Sequence, residues 1–229
     1  MKNLKLIILI FSISISCSQE NLSDKYAESI TSNELSDLLY EFASDKFEGR
    51  ETGEPGQKLA VNFIDTLPWE SMKIKIFGKD VVIPRLQCWI GDEDCNYKYS
   101  GKTLNRQEWS NELTMIRERI LQESEQDFNS VLVNYYRDGR DSMGWHSDDE
   151  KELGPNPNIA SISFGSERNL VFRNKITKET INVPQLSGAL YLIDGKTQEC
   201  WEHSVKKTKK IISPRINLTF RNIIFRNNF

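Results

Sequence analysis

The stretch Pro214-Arg215-Ile216-Asn217-Leu218-Thr219-Phe220-Arg221 alternates strictly between polar and apolar side chains. A period of two is the signature of an extended strand, so Ile216, Leu218 and Phe220 share one face while Arg215, Asn217, Thr219 and Arg221 share the other. Two arginines and an amide on one face have two readings. On an edge strand they form an outward charged face. Turned inward, an unpaired guanidinium is costly to desolvate and calls for an anion, and a dicarboxylate fits because arginine grips carboxylate in bidentate fashion.

Working backward, the chain after Leu67-Pro68-Trp69 reads as short strands. Lys73–Ile83 alternates about a hairpin tip at Phe77-Gly78-Lys79, and Arg85–Gly91 reads as another strand. Asn105–Gln126 has helical spacing, with Leu113, Ile116, Ile120 and Leu121 on its apolar face. Strands are then expected at Val131–Arg137, Ala160–Phe164, Asn169–Arg173, Thr180–Val183, Ala189–Ile193, His203–Val205 and Arg215–Phe220. In the first of these, Asn134 and Tyr136 oppose Val131, Val133 and Tyr135. Many short strands with one long helix predict a mostly β domain with flanking helices, folded as a two-sheet antiparallel roll.

The 229 residues hold only two histidines, His146 and His203. In Trp145-His146-Ser147-Asp148, His146 and Asp148 are two apart, so extended backbone points both side chains to one side. With His203 they make two imidazoles and one carboxylate, a set that suits ferrous iron with open positions.

A formal net charge of −3 gives no bulk attraction to polyanions. The charge is uneven, because residues 1–64 carry 6 Lys and Arg against 10 Asp and Glu. Any nucleic-acid surface is therefore a local patch, such as Lys206, Lys207, Lys209 and Lys210. The four cysteines form no CxxC pair and read as reduced thiols. Lys2 and Lys5 flank an apolar run, Leu6 to Ile15, followed by Ser16-Cys17-Ser18. Residues 1–17 thus read as a lipoprotein-like signal, too short to span a bilayer as an anchor, and predict export to the cell envelope. Residues 18–64 read as a helical appendage with a glycine- and proline-rich break at 47–56.

Two resemblances follow. "LYEFASDKFEGRETGEPGQKLAVNFI" resembles the start of secreted bacterial zinc aminopeptidases, but covers about forty residues and none of that family's metal ligands. From about residue 67 to 224, the blocks "VNYYRDGRDSMGWHSDDE", "ASISFGSERNLVFRN", "TQECWEHSV" and "PRINLTFRNI" resemble the AlkB-type iron(II)/2-oxoglutarate dioxygenases in order and spacing. That resemblance implies a double-stranded β-helix, or jelly roll, over residues 65–229. It implies iron(II) on His146, Asp148 and His203, and 2-oxoglutarate held by Arg215 with Arg221, Asn134, Tyr136 and Asn217. It implies oxidative dealkylation of N-alkylated bases in single- or double-stranded DNA, with release of succinate, carbon dioxide and an aldehyde.

For the substrate, it implies base stacking by Tyr97 and Tyr99, a nearby carboxylate in Glu150, an apolar finger in Phe77 that enters duplex DNA, and a phosphate grip from Arg85. Such a domain is expected to be a cytoplasmic monomer, at odds with the leader. Residues 1–64 accordingly read as a foreign head, joined by gene fusion or an assembly error. Two alternatives stay open: a 2-oxoglutarate dioxygenase acting on RNA or another substrate, and a non-catalytic envelope lipoprotein.

Overall fold

The computed structural model describes residues 10–11, 62–76, 78–95, 98–99, 102–210 and 212–224. Nearly all of the expected head, including the aminopeptidase-like stretch up to residue 61, lies outside these residues, as do Phe77 and Tyr97.

Strand β1 (Ile10–Phe11) pairs in parallel with Leu192 and Ile193. Next come β2 (Lys73–Ile76) and β3 (Lys79–Val82), an antiparallel hairpin with Gly78 at its tip. The φ of 78° at Gly78 lies in the left-handed region, which glycine adopts without a Cβ penalty. Then follow β4 (Leu86–Gly91), β5 (Lys98–Tyr99), β6 (Lys102–Thr103), β7 (Arg106–Gln107), helix α1 (Asn111–Ser124), β8 (Ser130–Tyr136) and β9 (Met143–His146). The chain continues through β10 (Ile159–Gly165), β11 (Arg168–Asn174), β12 (Thr180–Gln185), β13 (Leu190–Ile193), helix α2 (Gly195–Cys200), β14 (Trp201–Val205) and β15 (Arg215–Arg221).

Two sheets stack as a roll. The major sheet has the order β1-β13-β10-β15-β8-β4-β7 and the minor sheet β12-β11-β14-β9. Strand β15 is central, between β10 and β8, which excludes the edge-strand reading of its arginines. All seven of its residues are buried. Ile216, Leu218 and Phe220 pack with Leu113, Ile120 and Phe128 on the helix side of the sheet. Each side chain so enclosed contributes about 1.5–3 kcal/mol; Leu218→Asp would bury a charge there and break the sheet–helix contact. Leu132, Tyr136, Leu170, Phe172 and Val205 fill the space between the sheets.

Helix α1 is shorter than the expected Asn105–Gln126. Arg106 and Gln107 instead pair in parallel with Trp89 and Ile90, so the helix starts only after Ser110, whose side chain caps Leu113 N–H. Leu113 and Ile120 are buried with Ile116 packed beside them, but Leu121 is 42% exposed, outside the apolar face. The turn over 62–66 carries Phe63, only 1% exposed, into the helix-side core. Phe63, in the expected head, thus packs against the core of the domain that follows. Cys88 and Cys95 are free and buried, and Cys200 is buried as well. Burial raises the Cys88 thiol to about 12, with Glu70 adding to the effect, so it stays protonated.

Candidate active site

The cavity lies between the sheets. Its lining includes Asn134, His146, Asp148, His203, Arg215, Asn217 and Arg221. His146 ends β9 and His203 sits in β14, directly opposite in register, with ring centroids 4.3 Å apart. Asp148 follows two residues after His146. One ligand atom from each of the three lies within 4.8 Å of the others.

The surroundings fix the charge of each group. His146 Nδ1 lies 3.0 Å from the Gly144 carbonyl, which can only accept, so the proton belongs on Nδ1 and the Nε2 lone pair is free. Burial lowers the pKa of His146 and brings His203 down to about 3, with His146 also pushing His203 down and Asp148 opposing. Both rings are therefore neutral near pH 7. The 3.6 Å approach of His203 Nε2 to Asp148 Oδ2 is then not an ion pair.

Burial alone would raise Asp148, but the Arg221 guanidinium, with the two histidines, outweighs it and holds the carboxyl below its usual range. Arg221 Nη2 donates to Asp148 Oδ1 at 2.6 Å, and Asp148 N–H donates to Gln198 Oε1 at 2.9 Å. One carboxylate oxygen is thus engaged, while Oδ2 faces the histidines. Two neutral imidazoles and an ionised carboxylate form the donor set that a divalent transition metal takes.

Arg215 stands at the other end of β15 and is 2% exposed. Its Nη2 donates to Ser163 Oγ at 2.8 Å, but Nε and Nη1 have no partner. Its guanidinium lies 5.1 Å from the Tyr136 ring centroid, and Arg168 lies 5.9 Å from the same ring. Among the described residues no carboxylate comes within 4 Å of Arg215. A buried cation with two unmet donors fits an anionic ligand.

Asn217 Nδ2 donates to Ser161 Oγ at 2.9 Å, while its Oδ1 accepts from Thr219 Oγ1 at 3.1 Å. Asn134, its cross-strand neighbour, has Oδ1 engaged by Arg85 Nε at 2.8 Å and Gln87 Nε2 at 3.0 Å. Asn134, Asn217 and both β15 arginines line the cavity; Tyr136 backs Arg215 from the core between the sheets.

The phosphate grip expected of Arg85 needs correction. The residue is 3% exposed and also donates to the Ser142 carbonyl at 3.3 Å, so an external phosphate cannot reach it; it braces Asn134 instead. Glu150 is half-buried at the start of the 3₁₀ turn Lys151–Leu153. Tyr99 belongs to β5, and Phe77 and Tyr97 lie outside the described residues. Gln198, Ser161 and Ser163 were not anticipated. The alternation of Ser161 and Ser163 with Ala160, Ile162 and Phe164 was the available signal for the two serines; Gln198 gave none, because its helix was not foreseen.

A family model described as the 2OG-Fe(II) oxygenase superfamily matches residues 53–221. The chain belongs to this superfamily. Within it the chain is of the AlkB type. It is 41% identical over 160 residues to DNA oxidative demethylase ALKBH2 of Mus musculus, covering 66% of this chain and 67% of that protein. The Homo sapiens protein of the same name is 39% identical, over 66% of this chain and 61% of its own length. Alpha-ketoglutarate-dependent dioxygenase alkB homolog 3 of Mus musculus is 38% identical, with 69% and 58% covered. The chain thus spans about two thirds or less of these relatives. The solved structure of OsALKBH1 shares the fold, with a TM-score of 0.50 at 15% identity over 73% of this chain and 89% of that one. As in the superfamily, iron(II) is the metal and 2-oxoglutarate the cosubstrate, and the His146–Asp148–His203 group fits the metal.

Proposed function

We propose that this dioxygenase removes alkyl groups oxidatively from N-alkylated bases in DNA. One observation carries the reading: a neutral-imidazole and carboxylate triad and a buried arginine with unmet donors stand at opposite ends of one cavity. The substrate class is supported by relatives named as DNA oxidative demethylases.

His146, Asp148 and His203 hold the metal, and Arg215 takes the far carboxylate of 2-oxoglutarate, with Asn134, Tyr136, Asn217 and Arg221 around it. When bound, iron(II) with 2-oxoglutarate and dioxygen supplies the oxidising power to hydroxylate an N-alkyl carbon, giving succinate, carbon dioxide and an aldehyde. The protein's part is to keep both imidazoles neutral, to keep Asp148 ionised through Arg221, and to exclude water with the apolar core between the sheets. Tyr97 and Tyr99 stack the extruded base beside Glu150, and Phe77 enters the duplex.

A monomer, the usual condition of such domains, is part of this reading. Iron(II), 2-oxoglutarate and alkylated DNA meet inside cells, which supports a cytoplasmic place of action, whereas residues 1–17 read as an export signal. Among the described residues no helix is long and apolar enough to cross a membrane.

The test incubates the protein with iron(II), 2-oxoglutarate, ascorbate and an oligonucleotide carrying 1-methyladenine. Succinate is expected together with loss of the methyl group, and His203→Ala abolishes both. Succinate without demethylation would move the substrate elsewhere. Neither product from folded, iron-loaded protein would overturn the reading.

A further inference from the structure

On β12, Thr180, Asn182 and Pro184 are exposed, whereas Ile181 and Val183 turn inward against the core between the sheets. Gln185 continues that inward row. The pattern calls for a third apolar side chain there, yet the position holds an amide. Gln185 is 1% exposed and lines the same cavity as Arg215. Neither its Oε1 nor its Nε2 has a hydrogen-bond partner. An amide enclosed without partners is destabilising relative to an aliphatic side chain of similar size.

The backbone around this amide is braced. Tyr191 Oη donates to the Pro184 carbonyl at 2.5 Å and accepts from Leu186 N–H at 3.3 Å, so both neighbours of Gln185 are tied to one phenol. Register fixes the end of the cavity at which it stands. Gln185 pairs with Arg168, while His203 pairs with Phe172 four residues further along β11. That separation is roughly 13 Å at the usual rise of a strand. Arg168 and Arg215 flank the same Tyr136 ring, so Gln185 belongs to the arginine end, remote from the triad.

We propose that Gln185 is a second recognition residue for the cosubstrate, its Nε2 donating to the far carboxylate that Arg215 holds. This rests on reading the cavity as the 2-oxoglutarate site. A carboxylate offers two oxygens and about four lone-pair directions, enough for the unmet donors of Arg215 and one amide N–H. The neutral amide adds a directed hydrogen bond without bringing another cation into the core. It also sharpens selection of a diacid, because a 2-oxo acid lacking the far carboxylate leaves both groups unmet.

Full-length protein loaded with Mn(II) is titrated with 2-oxoglutarate by calorimetry, in the wild type, Gln185→Leu and Gln185→Met. Both variants are expected to bind about ten- to thirtyfold more weakly, the loss of one hydrogen bond to a charged acceptor. Their ligand-free melting temperatures are expected to equal or exceed that of the wild type, because each removes an unpartnered amide. Should the branched leucine prevent folding, the unbranched methionine decides. A wild-type protein that fails to bind 2-oxoglutarate overturns the reading of the site itself. Wild-type binding with unchanged affinity in the folded variants overturns only the role of Gln185. A lower ligand-free melting temperature in both variants also overturns it, since the amide would then be satisfied within the fold.

Discussion

The two arginines of β15 lie on one strand, on one face, six residues apart, and both are nearly fully enclosed. Arg221 meets the Asp148 carboxylate at 2.6 Å. Arg215 meets a serine hydroxyl and the Tyr136 side chain, and its Nε and Nη1 have no hydrogen-bond partner. The same residue type in the same kind of environment therefore has two uses. One cation is neutralised within the protein and sets the ionisation of a metal ligand. The other is left uncompensated, which makes sense only when its counter-charge arrives with a ligand.

This contrast makes its largest prediction for paired substitutions. Arg221→Met leaves the buried Asp148 without its cation and is expected to lower the stability of the metal-free protein by about 3–5 kcal/mol. Arg215→Met strands no carboxylate, so its effect on stability is expected to stay within about 1 kcal/mol of zero, while affinity for 2-oxoglutarate collapses. Urea unfolding of both variants without metal makes the measurement. Equal losses would erase the distinction between the two ends.

Much of this arrangement was readable from the chain. The alternation in 214–221 marked a strand with a polar face, and the H-x-D pair with a remote histidine named the triad. Sequence could not decide whether the polar face looked inward. Only the placement of β15 between β10 and β8 turns it into a cavity wall. The length of α1 was misjudged because Arg106 and Gln107 fit a helical pattern yet pair with β4, a non-local contact that overrides local propensity. Arg85 was misjudged for a related reason. An arginine beside a hairpin reads as a surface cation, and its enclosure depends on Asn134, forty-nine residues away in the chain. The motif at Gln185 was invisible because a lone glutamine in a β-rich stretch carries no signal until its neighbours in the row are known.

The two ends should also differ in their response to pH. At the metal end, burial and the neighbouring His146 hold His203 at about 3 in the folded protein. An unfolded chain titrates its histidine near 6.5. As pH falls below that value, the unfolded chain takes up a proton that the folded chain refuses, so stability is lost. The slope is about 1.4 kcal/mol per pH unit for one histidine, or roughly 3 kcal/mol between pH 6 and pH 4. His146 and Asp148, both lowered, act in the same direction. The arginine end contributes nothing in this window, because guanidinium groups remain charged throughout it. Denaturant titrations of metal-free protein at a series of pH values should show the slope, and His203→Asn should flatten it. A variant profile parallel to the wild type would locate the acid sensitivity elsewhere.

Between the two arginines stands Thr219, and it yields the smallest expected effect. Its hydroxyl donates to Asn217 Oδ1 at 3.1 Å, which orients that amide so that Nδ2 reaches Ser161 Oγ. Thr219→Val keeps the shape and removes the donor. Because Asn217 Oδ1 is then left buried without its hydrogen bond, a loss of about 1 kcal/mol is expected in chemical denaturation. The amide is also freed to flip, which would put a carbonyl oxygen where the serine hydroxyls now accept. Affinity for 2-oxoglutarate should fall only a few-fold, far less than for Arg215→Met. If Thr219→Val instead matched the loss of Arg215→Met, the middle of β15 would be part of the ligand contact rather than the scaffold that spaces its two charged ends.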